Sequence, residues 1–255
     1  MSWSGGVDAG RYCPSMRFED IAYDVDGEQM VGYLAVDEYR PGPRPAVLVS
    51  HEGPGLEEHV KGRAVRLAGL GYVAFALDYH GGGRMLPMER AMERLGLLSA
   101  DADLTRRLGR AGLDVLLAQE AVDPGRVAAI GYCFGGALSL ELARSGADLK
   151  AVVGFHSGFT PPNPAESRNI RASVLMCSGA DDPLVTAEQR QAFQDEMIEA
   201  GVADWRMEVY GGTQHCFTNP RVDELGMPGL AFNPVADRRS WRSMLDLFEE
   251  TLGPL

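Results

Sequence analysis

The sequence predicts an α/β fold in which a mostly parallel sheet is covered by helices on both faces. Short runs rich in β-branched and aromatic residues alternate along the chain with longer segments of helical periodicity. Such alternation is typical of βαβ units, whose crossover helices pack on the two faces of a parallel sheet. Two early apolar runs are separated by Asp26-Gly27, a strong hairpin signal. We therefore expect an antiparallel N-terminal hairpin at one edge of the sheet.

The predicted elements follow one another in a regular order. The predicted strands are residues 21–25, 31–36, 46–50, 72–77, 127–132, 151–155, 173–178 and 205–210, and the predicted helices are residues 57–70, 104–121, 135–145, 186–200 and 236–252. Continuous apolar runs such as 46–50 are typical of strands that are buried on both faces. Two stretches rich in proline, glycine and asparagine, residues 161–168 and 219–234, are expected to be loops above the sheet.

The chain is expected to form one domain. No linker of distinct composition divides its 255 residues, and the sequence contains no internal repeat. The length is sufficient for a sizeable hydrophobic core. We expect a flexible N-terminal segment at residues 1–17, followed by a single domain at residues 18–255.

The formal net charge of −12 argues against some classes of partner. Affinity for nucleic acid depends on Lys and Arg side chains that neutralise phosphates, and anionic membranes also repel an acidic protein. No apolar run approaches the roughly 18 residues of a membrane-spanning helix, and the N-terminus has no secretory signal pattern. We expect a cytoplasmic protein that binds neither nucleic acid nor membranes. The widely spaced cysteines are expected to be free thiols; they are Cys13, Cys133, Cys177 and Cys216.

The segment 127–145 carries the feature that points to chemistry. Cys133 stands between a predicted strand and a predicted helix, with Gly131 two residues before it and Gly135 two residues after it. This is the nucleophile-elbow pattern with sulfur in place of oxygen, and its glycines relieve clashes in a tight, strained turn. The helix N-terminus favours a thiolate, and the Phe134 amide is placed to bind an oxyanion. The alternative is an inert buried cysteine whose neighbouring glycines serve packing.

A cysteine nucleophile needs a base and an acid that orients the base, and on this topology the acid precedes the base along the chain. Asp182 follows the strand at 173–178, and the spacing Gly-x-x-Asp-x-x-Val favours it over Asp181. Alternatively, both acids cap the next helix. His215 follows Asp182 and lies in a glycine-rich loop after the last predicted strand. The sequence thus predicts a triad of Cys133, Asp182 and His215.

With these segments the chain resembles the dienelactone hydrolase family of α/β-hydrolases. The similarity extends from about residue 46 to the C-terminus. It depends on GYCFGG at 131–136, GADDPLV at 179–185, GGTQHCF at 211–217, VSHEGPGL at 49–56 and GYVAFALDYHGGG at 71–83. The resemblance implies an α/β-hydrolase fold and hydrolysis of an ester or a lactone.

The resemblance also implies further site residues. The family carries a glutamate after the early strand, matched here by Glu52, which would contact the resting thiol and move when substrate binds. A nearby carboxylate disfavours the thiolate and would keep Cys133 protonated until then. The amide of Gly53 would be the second oxyanion donor. Family members also bind a substrate carboxylate with arginines; Arg84 is the nearest match, and Arg221 comes later than the family's second arginine.

No cofactor and no metal are expected. His51-Glu52 begins like the zinc motif His-Glu-x-x-His, but Gly55 stands where the second histidine is needed. Pro54 also prevents the helix on which that motif depends. The glycines at 81–83 are not followed by the Lys-Ser/Thr pair of a phosphate-binding loop.

The sequence therefore predicts an enzyme that cleaves a small-molecule ester or lactone, of the carboxymethylenebutenolide type, through a thioester on Cys133. Two alternatives stay open: a broad carboxylesterase or neutral-lactone hydrolase on the same scaffold, and a non-catalytic binding protein with a vestigial site. Loops at 84–99, 159–168 and 221–235 are expected to set specificity. Methionines at helical spacing either line a lid there or pack in the core; they are Met85, Met88 and Met92.

Overall fold

A single sheet of eight strands lies at the centre of residues 16–255, the part of the chain that the computed structural model describes. The strands are β1 (Met16–Val25), β2 (Glu28–Asp37), β3 (Arg44–Ser50), β4 (Val73–Leu77), β5 (Val122–Tyr132), β6 (Ala151–Phe155), β7 (Ser173–Gly179) and β8 (Trp205–Tyr210). Their order across the sheet is β1-β2-β4-β3-β5-β6-β7-β8. β2 pairs antiparallel with β1 and β4, and the other neighbours are parallel. The predicted α/β-hydrolase sheet with its antiparallel N-terminal hairpin is confirmed.

Helices cover both faces of this sheet. They are α1 (Glu58–Leu70), α2 (Met88–Ala100), α3 (Ala102–Leu117), α4 (Phe134–Arg144), the single turn α5 (Pro164–Ser167), α6 (Ala187–Ala200) and α7 (Pro234–Leu252). Helices α1 and α7 pack with one apolar cluster, and α3, α4 and α6 pack with the other. Side chains of β3 alternate between the two clusters: Leu48 faces one, and Val47 and Val49 face the other. This alternation is the two-residue period of a strand that is buried on both faces.

The N-terminal hairpin turns where the sequence predicts. Asp26 and Gly27 have φ angles of 54° and 85°, the left-handed conformations that a tight two-residue hairpin loop needs. The Gly27 amide donates to Asp24 Oδ1 at 3.0 Å, and Val25 pairs with Glu28 across the turn. The first strand begins at Met16, and residues 1–15 of the predicted N-terminal segment, with Cys13, lie outside the described residues.

The segment before α3 differs from expectation. Residues 84–99 were expected to form a loop, but most of them belong to α2. In this helix only Ala91 and Leu98 are buried, whereas Met88 and Met92 are exposed. Two buried residues are too few to give this segment the hydrophobic periodicity from which a helix is predicted. The predicted loop at 219–234 likewise contains a short 3₁₀ turn, Val222–Leu225, and ends as α7 begins at Pro234.

The described residues also bear on two expectations about the chain as a whole. Cys133, Cys177 and Cys216 are free thiols in this part of the protein. None of the helices within residues 16–255 combines the length and the apolar character required to cross a membrane.

Candidate active site

Cys133 lies in a tight turn between β5 and α4. Its φ of 54° and ψ of −121° are a strained combination for a residue with a side chain, and its amide donates to the Phe155 carbonyl at 3.0 Å. A Cβ on Gly131 would lie 2.0 Å from the Gly135 carbonyl carbon, and one on Gly135 would lie 2.4 Å from the Ser50 carbonyl oxygen. The two glycines are therefore required by close backbone contacts within the elbow and with the end of β3.

The sulfur of Cys133 lies near three groups that favour its ionised form. They are the backbone amides of Phe134 and Gly53 and the imidazole of His215, whose Nε2 has no hydrogen-bond partner among the described residues. Burial alone would raise the pKa of this thiol, but the His215 charge and the two amides outweigh burial, so the pKa is lowered overall. Cys133 is partly exposed and opens into a cavity. It is thus an accessible thiol whose pKa lies below that of an ordinary cysteine.

Asp182 fixes the other side of the His215 ring. Its Oδ2 accepts a hydrogen bond from His215 Nδ1 at 2.7 Å, and its Oδ1 accepts from the amides of Leu184 and Val185 at 2.8 and 3.1 Å. Burial would lower the pKa of His215, but Cys133 and the hydrogen bond to Asp182 raise it well above its usual value. Asp181 is exposed and does not share this contact. The structure therefore brings together the three side chains of the predicted triad.

The loop that carries His215 is held on two sides. The His215 amide donates to the Gly229 carbonyl at 3.1 Å, and the His215 carbonyl accepts from the Ala231 amide at 3.1 Å. The Asp181 amide donates to the Thr213 carbonyl at 3.0 Å, which joins the loop after β7 to the loop after β8. These backbone contacts place an imidazole and a carboxylate from different loops at the same edge of the sheet.

Glu52 lies beside the thiol but is bonded elsewhere. Its Oε2 accepts from Asn219 Nδ2 at 2.8 Å, and its Oε1 lies 3.6 Å from both His59 Nδ1 and His156 Nε2. Burial, the neighbouring carboxyl of Glu57 and the charge of Cys133 raise the pKa of Glu52 well above its usual value. The expected contact of Glu52 with the resting thiol is not formed in this conformation.

Arg84 does not line the cavity that holds Cys133. It lines a neighbouring cavity of about 570 Å³, together with His80, Arg90 and Arg94. The intervening strap, which includes Met85, borders both cavities. Residues 83–87 are placed there by backbone bonds to residues 51–57, the loop after β3 that carries the proposed oxyanion donor Gly53 and is called the oxyanion loop below; one example is the 2.8 Å bond from the Leu86 amide to the Pro54 carbonyl. Arg221, which comes later in the chain than the family's second arginine, does border the cavity of Cys133.

The cavity over Cys133 has a volume of about 460 Å³ and a largely apolar wall. Side chains from α2, from the strap before it and from the 222–230 segment form that wall; they include Met85, Met88, Met92, Leu95, Leu225 and Met227. The three methionines of the sequence prediction therefore line the cavity rather than the core. The acidic and basic side chains that border it are Glu52, Glu57, Glu224, His215 and Arg221.

Two cavity residues were missed by sequence reasoning. Cys216 and Asn219 border the cavity, and Asn219 bonds both Glu52 and Glu57. Both follow His215 in the same loop, so their position in the sequence was a usable signal. Their side-chain directions depend on the backbone of that loop, including a φ of 56° at Cys216, which the sequence does not reveal.

Two groups of possible metal ligands occur among the described residues near this site. One comprises His156, His215 and Cys216, and the other Glu52, Glu57 and His59. In the second group His59 Nε2 accepts from Arg63 Nε at 3.2 Å, so the ring proton is on Nδ1 and faces Glu52. At 3.6 Å this pair is longer than a hydrogen bond, and neither His59 Nδ1 nor Glu52 Oε1 has another hydrogen-bond partner among the described residues. The first group contains the histidine of the triad, whose Nδ1 is occupied by Asp182.

Comparison with known proteins agrees with this geometry. A model of the dienelactone hydrolase family matches residues 30–252. The structure of a protein called m3DLH is 47% identical, with a TM-score of 0.90, and the match covers 93% of this chain and 99% of that one. The structure of a dienelactone hydrolase-like promiscuous phosphotriesterase from metagenomic libraries is 42% identical, with a TM-score of 0.89 and the same coverage. A carboxymethylenebutenolidase from Pseudomonas sp. is 31% identical over 156 residues, which are 59% of this chain and 65% of that protein.

Proposed function

Because the chain belongs to the dienelactone hydrolase family and is a hydrolase of esters or lactones, we propose that Cys133 is its nucleophile and that a thioester is its intermediate. His215 acts as the base and Asp182 orients it. The amides of Phe134 and Gly53 form the oxyanion hole. The observation that carries this proposal is the surroundings of one sulfur atom, which lies near both amides and near an imidazole that is bonded to a carboxylate at 2.7 Å.

The proposed reaction has two halves. In the first, the Cys133 thiolate attacks the carbonyl carbon, and the oxyanion accepts hydrogen bonds from the two amides. The adduct then collapses, the C–O bond of the ester breaks, and His215 Nε2 gives its proton to the departing oxygen. In the second half, His215 takes a proton from water as the water attacks the thioester, and the thiolate leaves. For a lactone, the departing oxygen stays attached to the acyl group.

The leaving-group ability of the thiolate also influences which bonds are cleaved. A tetrahedral adduct expels thiolate more readily than a poor leaving group such as an amine. We therefore expect activated esters and enol lactones to be good substrates and amides to be poor ones. A faster turnover of simple peptides than of aryl esters would contradict this expectation.

The cavity favours a neutral, mostly apolar substrate. Its wall is largely apolar, and among the described residues Arg221 is the one arginine that borders it. Arg221 is itself within 3.7 Å of Glu224, so its charge is partly balanced. A substrate carboxylate would therefore meet an apolar wall and an arginine that already has an acidic partner. Among the activities considered from the sequence, the structure best supports the neutral-lactone or carboxylesterase activity.

A second candidate activity is hydrolysis of neutral phosphotriesters. It is favoured by the 42% identity to a protein described as a promiscuous phosphotriesterase. The same thiolate can attack phosphorus, and the two amides can bind the phosphoryl oxygen. A neutral triester also suits the apolar wall. We place this activity second because the family match concerns dienelactone hydrolases.

The test uses matched substrates on three forms of the enzyme. A neutral lactone, a carboxylate-bearing lactone of the same ring, an aryl ester and an aryl phosphotriester are run on wild type, Cys133→Ala and Cys133→Ser. We expect the neutral lactone and the aryl ester to give the highest kcat/KM, and Cys133→Ala to abolish turnover. Mass spectrometry of the quenched reaction should find the acyl group on the peptide that contains Cys133. Turnover that survives Cys133→Ala would refute the mechanism.

Two arginine variants test the substrate class separately. Arg84→Ala should leave kcat/KM unchanged for every substrate, because Arg84 borders the other cavity. Arg221→Ala should weaken turnover of the carboxylate-bearing lactone more than that of the neutral one. A strong preference for the carboxylate-bearing lactone that disappears in Arg84→Ala would restore the anion-binding role expected from the sequence.

A further inference from the structure

The peptide group between Glu52 and Gly53 is held firmly on its carbonyl side. The Glu52 carbonyl accepts hydrogen bonds from His51 Nδ1 at 2.6 Å and from the Gly55 amide at 3.2 Å. It also shares the single proton of the Tyr79 hydroxyl, at 3.1 Å, with the His51 carbonyl, at 2.9 Å. In a planar trans peptide the C=O and N–H bonds point in opposite directions. Fixing the Glu52 carbonyl therefore fixes the direction of the Gly53 N–H, which lies near the Cys133 sulfur and lowers the pKa of that thiol.

His51 is a neutral donor in this arrangement. Its Nε2 accepts from the Tyr79 amide at 3.5 Å, so the ring proton lies on Nδ1, which faces the Glu52 carbonyl. Burial, together with the nearby His80, lowers the pKa of His51 well below its usual value. The ring is fully buried and stacks on Tyr79 with centroids 3.6 Å apart. Its tautomer and its orientation are thus both set by the protein.

Tyr79 is a second fixed donor. It is fully buried, and its hydroxyl also donates to the His51 carbonyl at 2.9 Å. Burial raises the pKa of Tyr79 well above its usual value, so the hydroxyl keeps its proton. Asp78 follows β4 directly and Tyr79 comes next; the Asp78 carboxylate accepts from the His80 and Gly83 amides at 2.8 and 2.7 Å. The turn that carries Tyr79 is therefore held by hydrogen bonds to the Asp78 carboxylate.

The adjacent carbonyl is fixed in the same manner. His80 Nε2 lies 2.7 Å from the Gly53 carbonyl oxygen. The carbonyl groups of His51, Glu52 and Gly53 thus each have a buried aromatic donor. Hydrogen bonds to a peptide carbonyl also polarise its N–H, which strengthens that N–H as a donor.

We propose that His51 and Tyr79 are positioning residues for the oxyanion hole: they hold the Glu52–Gly53 peptide so that the Gly53 N–H meets the developing oxyanion. This inference rests on the proposed function of the site. Neither side chain borders the cavity, so neither touches the substrate. Their effect passes entirely through one peptide group.

The first variant is Tyr79→Phe, which removes one of the three donors and keeps the buried ring. Complete loss of an oxyanion donor lowers kcat by about 10²- to 10³-fold, so removal of one of the three supports should lower kcat for an aryl ester by about 10-fold. KM should change little. Alkylation of Cys133 by iodoacetamide develops no oxyanion. At a pH above the thiol pKa, where the Gly53 amide no longer changes the fraction of thiolate, the alkylation rate should therefore stay within about threefold.

Histidine variants provide the rescue test. His51→Leu removes the Nδ1 donor and should lower kcat by about 10- to 100-fold. His51→Asn places an amide NH₂ near the position of Nδ1 and should restore most of the activity. If His51→Leu fails to fold, the Tyr79→Phe result decides the inference alone.

Two tyrosines supply matched controls. The Tyr132 hydroxyl is buried next to Cys133 in sequence and has no hydrogen-bond partner among the described residues, so Tyr132→Phe should leave kcat unchanged. The Tyr23 hydroxyl bonds the backbone of Asp78 at 2.7 and 2.9 Å but does not reach the oxyanion loop. Tyr23→Phe should therefore lower stability without the tenfold loss in kcat.

Three results would overturn the inference. The first is an unchanged kcat in Tyr79→Phe, and the second is an equal loss of ester turnover and alkylation, which would indicate a general disturbance of Cys133. The third is the same kcat loss in Tyr23→Phe. Failure of the proposed function is distinguishable from all three, because it would show as ester turnover that persists in Cys133→Ala.

Discussion

The carboxylate of Asp182 and the imidazole of His215 are joined by a 2.7 Å hydrogen bond, although the residues are 33 positions apart in the chain. The other oxygen of the same carboxylate accepts two backbone amides, from Leu184 and Val185. The carboxylate therefore cannot rotate without breaking three hydrogen bonds. Its orientation sets which nitrogen of His215 carries the proton.

Asp182→Asn should invert that tautomer. The two amides will keep the amide oxygen of Asn on the Oδ1 side, so its NH₂ group will donate to His215 Nδ1. The ring proton then moves to Nε2, and the base can no longer accept a proton there. We expect kcat for an aryl ester to fall by about 10⁴-fold, the effect of the equivalent change in a serine triad.

Asp181→Asn is the matched control for this change. Asp181 is exposed, and its neighbouring position makes it the rival acid in the sequence. We expect its kcat to stay close to that of wild type. A loss in Asp181→Asn comparable to that in Asp182→Asn would show that the tautomer argument is wrong.

Cys133 should still react with alkylating agents at pH values where an ordinary cysteine is protonated. His215 and the amides of Phe134 and Gly53 lower the pKa of this thiol despite its burial. The midpoint of iodoacetamide alkylation should therefore lie below the usual thiol pKa of about 8.5. In His215→Ala the positive charge is absent and burial remains, so the midpoint should rise above that value.

The other thiols limit how this measurement is made. Burial raises the pKa of Cys216 to about 12 and that of Cys177 further still, so both react slowly at neutral pH. The rate measured in Cys133→Ala is subtracted as background at each pH. An alkylation midpoint that does not move in His215→Ala would contradict the thiolate–imidazolium pair.

Gly135 should tolerate no side chain. A Cβ there would lie 2.4 Å from the Ser50 carbonyl oxygen and 2.5 Å from that of His51. Gly135→Ala must displace the end of β3 and with it the oxyanion loop, at a cost of about 1–3 kcal/mol in the free energy of unfolding. We expect ester turnover to be lost as well. Urea unfolding and steady-state kinetics measure both effects.

Gly62→Ala is the control for that substitution. Gly62 lies in α1, is exposed, and a Cβ there would meet no other atom within 4 Å. Replacing an exposed helical glycine with alanine should stabilise the protein by about 0.5–1 kcal/mol. Equal destabilisation by the two variants would refute the close-contact argument.

Arg144 should be necessary for folding rather than for chemistry. It lies at the end of α4, is 1% exposed, and donates to both carboxylate oxygens of Glu196 at 2.7 Å and to Glu141. Arg144→Met leaves the buried carboxylate of Glu196 without a cation, while Glu141 keeps its pair with Arg106, and the change should cost about 3–5 kcal/mol in the free energy of unfolding. The exposed pair of Lys150 and Asp148 is the comparison, and Lys150→Met should cost about 1 kcal/mol at most.

The triad was predictable because its constraints are local. The elbow needs glycines on either side of Cys133, and close backbone contacts at Gly131 and Gly135 explain why they appear in the sequence. The positions of Asp182 and His215 follow from the strands that precede them, because parallel strands deliver their following loops to one edge of a sheet.

The walls of the site were less predictable. Arg84 was assigned to the substrate because it is near in sequence, but the strap formed by residues 83–87 turns it into the neighbouring cavity. Helix α2 was missed because its methionines line a cavity instead of the core. The roles of His51 and Tyr79 depend on a tautomer and on the direction of one peptide group, and no residue pattern encodes either.

Helix α4 is enclosed along its entire length, whereas the methionines and leucines above Cys133 are open to solvent; Met92 is 59% exposed and Leu225 is 56% exposed. Segments with few buried contacts open at lower free energy than the core. As the temperature rises, the protein should therefore become less selective among substrates well before it stops cleaving them. Directed evolution of new specificities can therefore change the exposed residues above Cys133. The sulfur itself is held by the buried helix α4, which should unfold last.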